Sequence, residues 1–183
     1  MNYLSSFKQL SRSKQIAVLL IVSTFTWAVG VPTFFATASA AQLASVSMTA
    51  SSSVPGALGN FTLRFTSTTT AASLSTMTIQ FSVGNSGGAS NEYDLSSLVA
   101  GDMTSSGMTI VTVCTGAASE LLFGSVSNSA GNRTVNFTVC TGDSIAAGAK
   151  VVYFNNNHVQ NPTTLQSYRI TVGGNFGDTG TAM

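Results

Sequence analysis

The sequence predicts an all-β fold: an antiparallel two-sheet β-sandwich behind a hydrophobic N-terminal helix. Three observations predict it. Apolar and polar residues alternate with period two through most of residues 41–175. Clusters of Gly, Pro, Ser and Asn interrupt that alternation at short intervals. The composition is rich in hydroxyls and poor in charge: of 183 residues, 24 are Thr and 27 are Ser, and only 7% are charged, against about 25% in an ordinary soluble protein.

The strands can be taken in chain order. Ala44–Thr49 opens the set. Phe61, Leu63 and Phe65 alternate with Thr62, Arg64 and Thr66; Met77, Ile79, Phe81 and Val83 alternate with Thr78, Gln80 and Ser82. Glu120–Val126 comes next. Val135, Phe137 and Val139 then alternate with Thr134, Asn136 and Thr138, and Tyr168, Ile170 and Val172 with Arg169 and Thr171. Such a pattern turns one row toward a core and the other toward water. Met108–Val113 and Val151–Phe154 are more continuously apolar, which predicts central strands. The total is about eight strands, the number expected of a sandwich or barrel. Pro55-Gly56, Gly84-Asn85-Ser86-Gly87-Gly88, Ser105-Ser106-Gly107, Ser129-Ala130-Gly131-Asn132 and Gly142-Asp143 are the turn clusters between them. Tyr93–Met103 is the one irregular or helical excursion, and Asp94 is suited to cap a short turn there. An apolar face on every strand needs a second sheet to cover it.

The charges divide the chain. Lys8, Arg12 and Lys14 precede the apolar run Ile16–Val22, and Ala36-Thr-Ala38 and Ala38-Ser-Ala40 come after it. A positive start, an apolar middle and a small-x-small site form the pattern of a secretory signal peptide. Cleavage is expected between Ala40 and Ala41, with Ala38 as the second choice. The alternative is an uncleaved anchor, because Ile16–Phe35 as a helix is about 30 Å long. The expected organisation is 1–40 signal peptide or anchor, 41–175 β-sandwich, and 176–183 flexible C-terminal tail. The body holds four basic and six acidic residues, a formal −2. So few cations cannot build a phosphate-binding face, which excludes nucleic acid as a partner. Hydrophobic content of 44% excludes a disordered chain.

Cys114 and Cys140 are the only cysteines, each inside Thr-Val-Cys-Thr-Gly. An even count in an exported chain predicts a disulfide between them; two free buried thiols are the alternative. The strands that they end are expected to be neighbours or to face each other across the sandwich.

Asn60-Phe-Thr-Leu-Arg-Phe-Thr66, Ser144-Ile-Ala-Ala-Gly148 and Asn161-Pro-Thr-Thr164 with Ser167-Tyr-Arg-Ile-Thr171 resemble secreted immunoglobulin-like surface domains of bacteria, notably those of the small-genome candidate-phyla groups. The resemblance covers roughly residues 43–173 and implies an immunoglobulin-like sandwich. The buried Trp of antibody domains is missing, since the single Trp is Trp27. The cysteine spacing is also unlike the antibody inter-sheet pair.

Candidate sites are sparse. His158, the only His, comes directly after Asn155-Asn-Asn157 and is read as a loop or strand-end residue rather than a catalytic base. No nucleophile, phosphate-loop, dinucleotide or zinc-protease motif occurs. Glu92 and Asp94, beside Asn91, offer oxygens for a weak Ca²⁺ site, but their spacing matches no Ca²⁺ loop. Asn60, Asn132 and Asn136 fit the N-x-S/T pattern, as chance alone would produce in so Asn- and Thr-rich a chain. No metal or cofactor is expected. The expected function is non-enzymatic: an extracellular or cell-surface protein with a structural or adhesive role. Its partners would be envelope components, further copies of itself or glycans, with membrane contact only through an uncleaved N-terminal segment. A secreted carbohydrate-binding module is the alternative and a secreted hydrolase the second. Convergence of Tyr93, Tyr153, Asn155–Asn157 and His158 on one concavity would favour binding.

Overall fold

The computed structural model describes Lys14, Ile16, Ala17 and residues 41–81, 92–165, 167–176 and 178–182. The chain divides into two units, 1–39 and 40–183. In the first, Lys14, Ile16 and Ala17 are helical. The rest of the expected signal or anchor, including Ala40, lies outside the described residues.

The second unit is an all-β sandwich. Its strands are β1 (Ala41–Gln42), β2 (Ala44–Ala50), β3 (Leu58–Ser67), β4 (Thr76–Phe81), β5 (Met103–Ser106) and β6 (Thr109–Val111). They continue as β7 (Glu120–Ser129), β8 (Asn132–Val139), β9 (Gly148–Gln160), β10 (Ile170–Gly174) and β11 (Asp178–Ala182). One sheet has seven strands in the order β1-β11-β10-β4-β8-β7-β6, the other four in the order β2-β3-β9-β5.

The period-two rows do what alternation requires. Phe61, Leu63 and Phe65 of β3 and Val152 and Phe154 of β9 point inward from the smaller sheet. They meet Met77, Ile79 and Phe81 of β4 and Val135, Phe137 and Val139 of β8. Phe81 and Phe154 pack edge to face across the layers, their ring centres 5.5 Å apart, the arrangement that aromatic quadrupoles favour.

The layers are joined at both lateral edges by strands that change sheets. Gln42 pairs with β11, then Leu43 turns inward and β2 continues on β3. Likewise β5 pairs with β9, Gly107 and Met108 turn, and β6 continues on β7. Both crossings leave a parallel pair on the seven-stranded sheet; the other pairings are antiparallel. Leu43 and Met108 are buried. Gly180 of β11 lets the first crossing pass: a Cβ there would lie 2.7 Å from that of Leu43. Gly107 makes the second, with φ +80° and the Ala149 carbonyl directly against it.

Three expectations need correction. Within the stretch 176–183 assigned as a flexible tail, Asp178–Ala182 is β11, paired with β10 and β1, and Phe176 and Asp178 are buried. Met108–Val113 is not a central strand: β6 lies at the sheet edge, and Val113 is 70% exposed. Its apolar run serves the crossing and the rim rather than two covered faces. Tyr93–Met103 is irregular with a 3-10 turn at Ala100–Asp102, as expected, but Ser105 and Ser106, assigned to a turn, belong to β5, whose polar Thr-Ser-Ser hides it from a hydrophobicity pattern.

Candidate functional site

The four-stranded sheet turns its outer face to solvent, and adjacent strands align their side chains across it. One row reads Thr49, Thr62, Tyr153, Thr104; the next reads Ser47, Arg64, Val151, Ser106. Tyr153 thus lies between two threonines. Asn155, two residues further along β9, donates from Nδ2 to Thr104 Oγ1 at 3.2 Å.

At the end of this face β9 bulges. Gly59 pairs with Val159 but Phe61 with Phe154, so Asn155–His158 oppose Asn60 alone. Asn156 and Asn157 take φ of 63° and 55°, the left-handed region that Asn tolerates best after Gly. The Asn157 N–H donates to Asn60 Oδ1 at 2.8 Å and fixes the bulge.

The bulge brings His158 to Asp102. His158 Nδ1 lies 2.7 Å from Asp102 Oδ2. That oxygen also accepts the Val99 N–H at 2.9 Å, and Oδ1 accepts Asn156 Nδ2 at 2.7 Å. Asp102 is buried, while the His158 side chain is 40% exposed. Burial alone would raise the Asp102 pKa; the Asn156, His158 and Val99 hydrogen bonds outweigh it and hold the group below its ordinary value. A buried carboxylate on Nδ1 orients the ring as in the base half of a hydrolytic triad. Among the described residues, no Ser, Thr or Cys hydrogen-bonds the ring. Sequence reading missed Asp102 because it lies 56 residues from His158.

The expected convergence is partial. Tyr153 and Asn155 lie on the outer face, and Asn156, Asn157 and His158 at the bulge that ends it. Tyr93 is elsewhere, in the core, with its ring edge-to-face on Phe61, Phe81 and Tyr168. Burial, then the nearby Tyr168 hydroxyl, push its phenol up to about 12.

The acids have a common use: all six body carboxylates accept hydrogen bonds that tie segments of the fold. Glu92 takes Arg133 Nε at 2.7 Å and the Gly131 N–H at 2.8 Å. Asp94 caps its turn, as its sequence position predicts, by accepting the Ser96 N–H at 2.8 Å, and also takes Asn128 Nδ2. Glu92 and Asp94 therefore turn to different partners rather than toward one cation. Glu120 accepts the Thr115 hydroxyl and the N–H groups of Thr115 and Gly116. Asp143 accepts the Glu120 and Ser144 N–H groups. Asp178 takes both the N–H and the hydroxyl of Thr68 and of Thr69. Donors to the ionised form lower a carboxyl pKa, and Asp94, Asp102, Glu120, Asp143 and Asp178 all lie below their ordinary values. Lys150, the other buried cation beside Arg133, has its pKa lowered by desolvation and donates to the Gly148 carbonyl. Arg64 and Arg169 are the fully exposed charges of the body, and Asp94 and Asp143 are partly exposed.

Cys114 and Cys140 form the disulfide, with Cα atoms 5.7 Å apart. Their strands are neither neighbours nor opposed across the sandwich. They flank β7 in one sheet, and the chain after β6 bends over the start of β7 to reach Cys140. The Glu120 carboxylate lies within 4.8 Å of both sulfurs; sulfurs bonded to each other are not the thiolates that bind metals.

No protein-family model, no curated protein and no solved structure matches this chain.

Proposed function

We propose that this chain is an exported, non-enzymatic protein of the cell surface or envelope, a β-sandwich building block with a structural or adhesive role. One observation carries the reading: every carboxylate of the body accepts hydrogen bonds that tie the fold together, which leaves Arg64 and Arg169 as its only fully exposed charges. A carboxyl that serves as a general acid must be held protonated, its pKa raised; five of the six here are shifted the other way, and the His158 ring that Asp102 orients meets no hydroxyl or thiol nucleophile among the described residues. A surface with little charge has little repulsion to keep copies apart, which suits a protein that works packed against others. The Cys114–Cys140 disulfide is compatible with an oxidising compartment, and the immunoglobulin-like relationship is part of the same proposal. Fractionation of the native cell with N-terminal sequencing tests it. Protein in the envelope or medium beginning at Ala41 is expected. Cytosolic protein that begins at Met1 with free thiols would overturn it.

Carbohydrate binding is the second reading, favoured by Tyr153 between Thr62 and Thr104, with Asn155 two residues further along β9. Retention on an insoluble polysaccharide, abolished by Tyr153→Ala, would move the assignment there.

A further inference from the structure

The two edges of the four-stranded sheet are unlike. β5 has four residues, and from within it Ser105 Oγ donates to the Met108 carbonyl and accepts the Ile110 N–H, so that the chain folds back beside it. Its free side is occupied by its own chain. β2 is longer, is flanked among the described residues only by β3, and contains no charged residue and no proline. Charges and prolines are the usual devices that keep edge strands from pairing with other chains.

The ladder fixes which groups are free. The Ser51 N–H bonds to the Asn60 carbonyl at 2.8 Å. In an antiparallel pair every second residue bonds to its partner. Thr49 and Ser47 therefore face β3, while Ala50, Met48 and Val46 turn N–H and C=O outward. Upstream, Ser45 has φ 56° at a bulge, so the straight free edge is Val46–Ala50. Inward of that edge lies a groove of about 230 Å³ between the layers, lined by Met48, Ala50, Phe61, Tyr168, Ile170 and Ala182 among others. Leu165, 82% exposed, is at its rim.

We propose that β2 pairs with β2 of a second copy, antiparallel, about a two-fold axis through Met48. The strand is complementary to itself in that register. Met48 meets Met48, and Val46 meets Ala50, so all three outward-facing residues become hydrogen-bonded pairs. Ser47 meets Thr49, and no like charges are opposed. The two four-stranded sheets become one sheet of eight, and the inward row of the added strand covers the groove mouth. Closed two-fold pairing of this kind is the commonest symmetry of homo-oligomers. The inference deepens the reading of a packed envelope protein and rests on it for the local concentration at which pairing matters.

The test expresses the full-length chain, purifies it from whichever fraction carries it, and measures mass by sedimentation velocity across a dilution series. The fraction reports on the envelope reading; the mass reports on the edge. Wild type is expected at twice the monomer mass. Ala50→Pro removes one outward N–H and no bond of the fold; Ser47→Lys with Thr49→Lys sets lysine against lysine across the axis. Each should weaken association by roughly tenfold with unchanged melting of the monomer. Ser47→Glu with Thr49→Lys, which sets opposite charges across the same axis, should restore it. A monomeric wild type, open-ended polymers, or association indifferent to all three variants would overturn the proposal.

Discussion

The sandwich solves the same problem twice, once at each lateral edge, with different means. At both, a strand leaves one sheet, buries an apolar residue and continues on the other. The β1–β2 crossing at Leu43 is held without covalent help: two ladder pairs with β11, the Leu43 N–H on the Thr179 carbonyl at 2.7 Å, and Asp178 accepting from Thr68 and Thr69. The β5–β6 crossing at Met108 leads into a loop, 112–119, whose Cys114 is bonded to Cys140 and whose backbone is gathered by Glu120. The difference shows where a cross-link counts. A crossing that runs on into a regular strand is stabilised by its own ladder; one that runs into an irregular loop has few contacts to hold it. The uncross-linked edge is also the one that leaves a strand side free.

Acid should have the largest effect, because it acts on both edges at once. Asp178 near the first edge and Glu120 and Asp143 near the second have folded pKa values below their ordinary ones. Their contribution is therefore fully present above the unfolded carboxylate range, about pH 4, and is lost as pH falls through the folded values. Near-ultraviolet circular dichroism should hold constant down to about pH 4 and then collapse with the disulfide intact. A signal unchanged to pH 2 would remove the carboxylates from the account.

Reduction should separate the edges. Closing a 26-residue separation contributes about 3–4 kcal/mol by loop-closure entropy. Calorimetry with and without reductant should show a melting temperature lower by roughly 10 °C. Hydrogen exchange should rise first in 112–119 and leave β2 unchanged. Equal loosening at both edges would mean that the bond stabilises the whole domain rather than this loop.

Leu43→Ala tests the other crossing. Removing a buried Leu costs about 2–4 kcal/mol, and the loss should appear in exchange at β1 and β11 before the disulfide loop responds. Asp178→Asn should cost about 1–2 kcal/mol, because the charge that draws four donors is gone. The smallest effect is expected at Val113, already exposed: Val113→Ser should change stability by under about 0.5 kcal/mol. A large loss there would show that the rim of the second edge is covered in the assembled state.

By itself the sequence determined the features that local periodicity and composition dictate. Phe61, Leu63 and Phe65 alternate with polar neighbours, and a strand with that row can lie only with one face in a core. The same reasoning delivered β4, β8 and β10, hence two layers, and two cysteines in matching contexts delivered the disulfide. Asp94 was legible as a cap because its partner, Ser96, is two residues away. Tertiary structure decided whatever depends on residues distant in the chain. Asp-Thr-Gly-Thr-Ala has no apolar row, so β11 exists only because β10 and β1 supply its hydrogen bonds and Gly180 admits Leu43. Asp102 met His158, Asp178 met Thr68 and Thr69, and Glu92 met Arg133 across dozens of intervening residues. A carboxylate's role is set by the donors around it, and no spacing rule encodes donors brought together by the packing of two sheets.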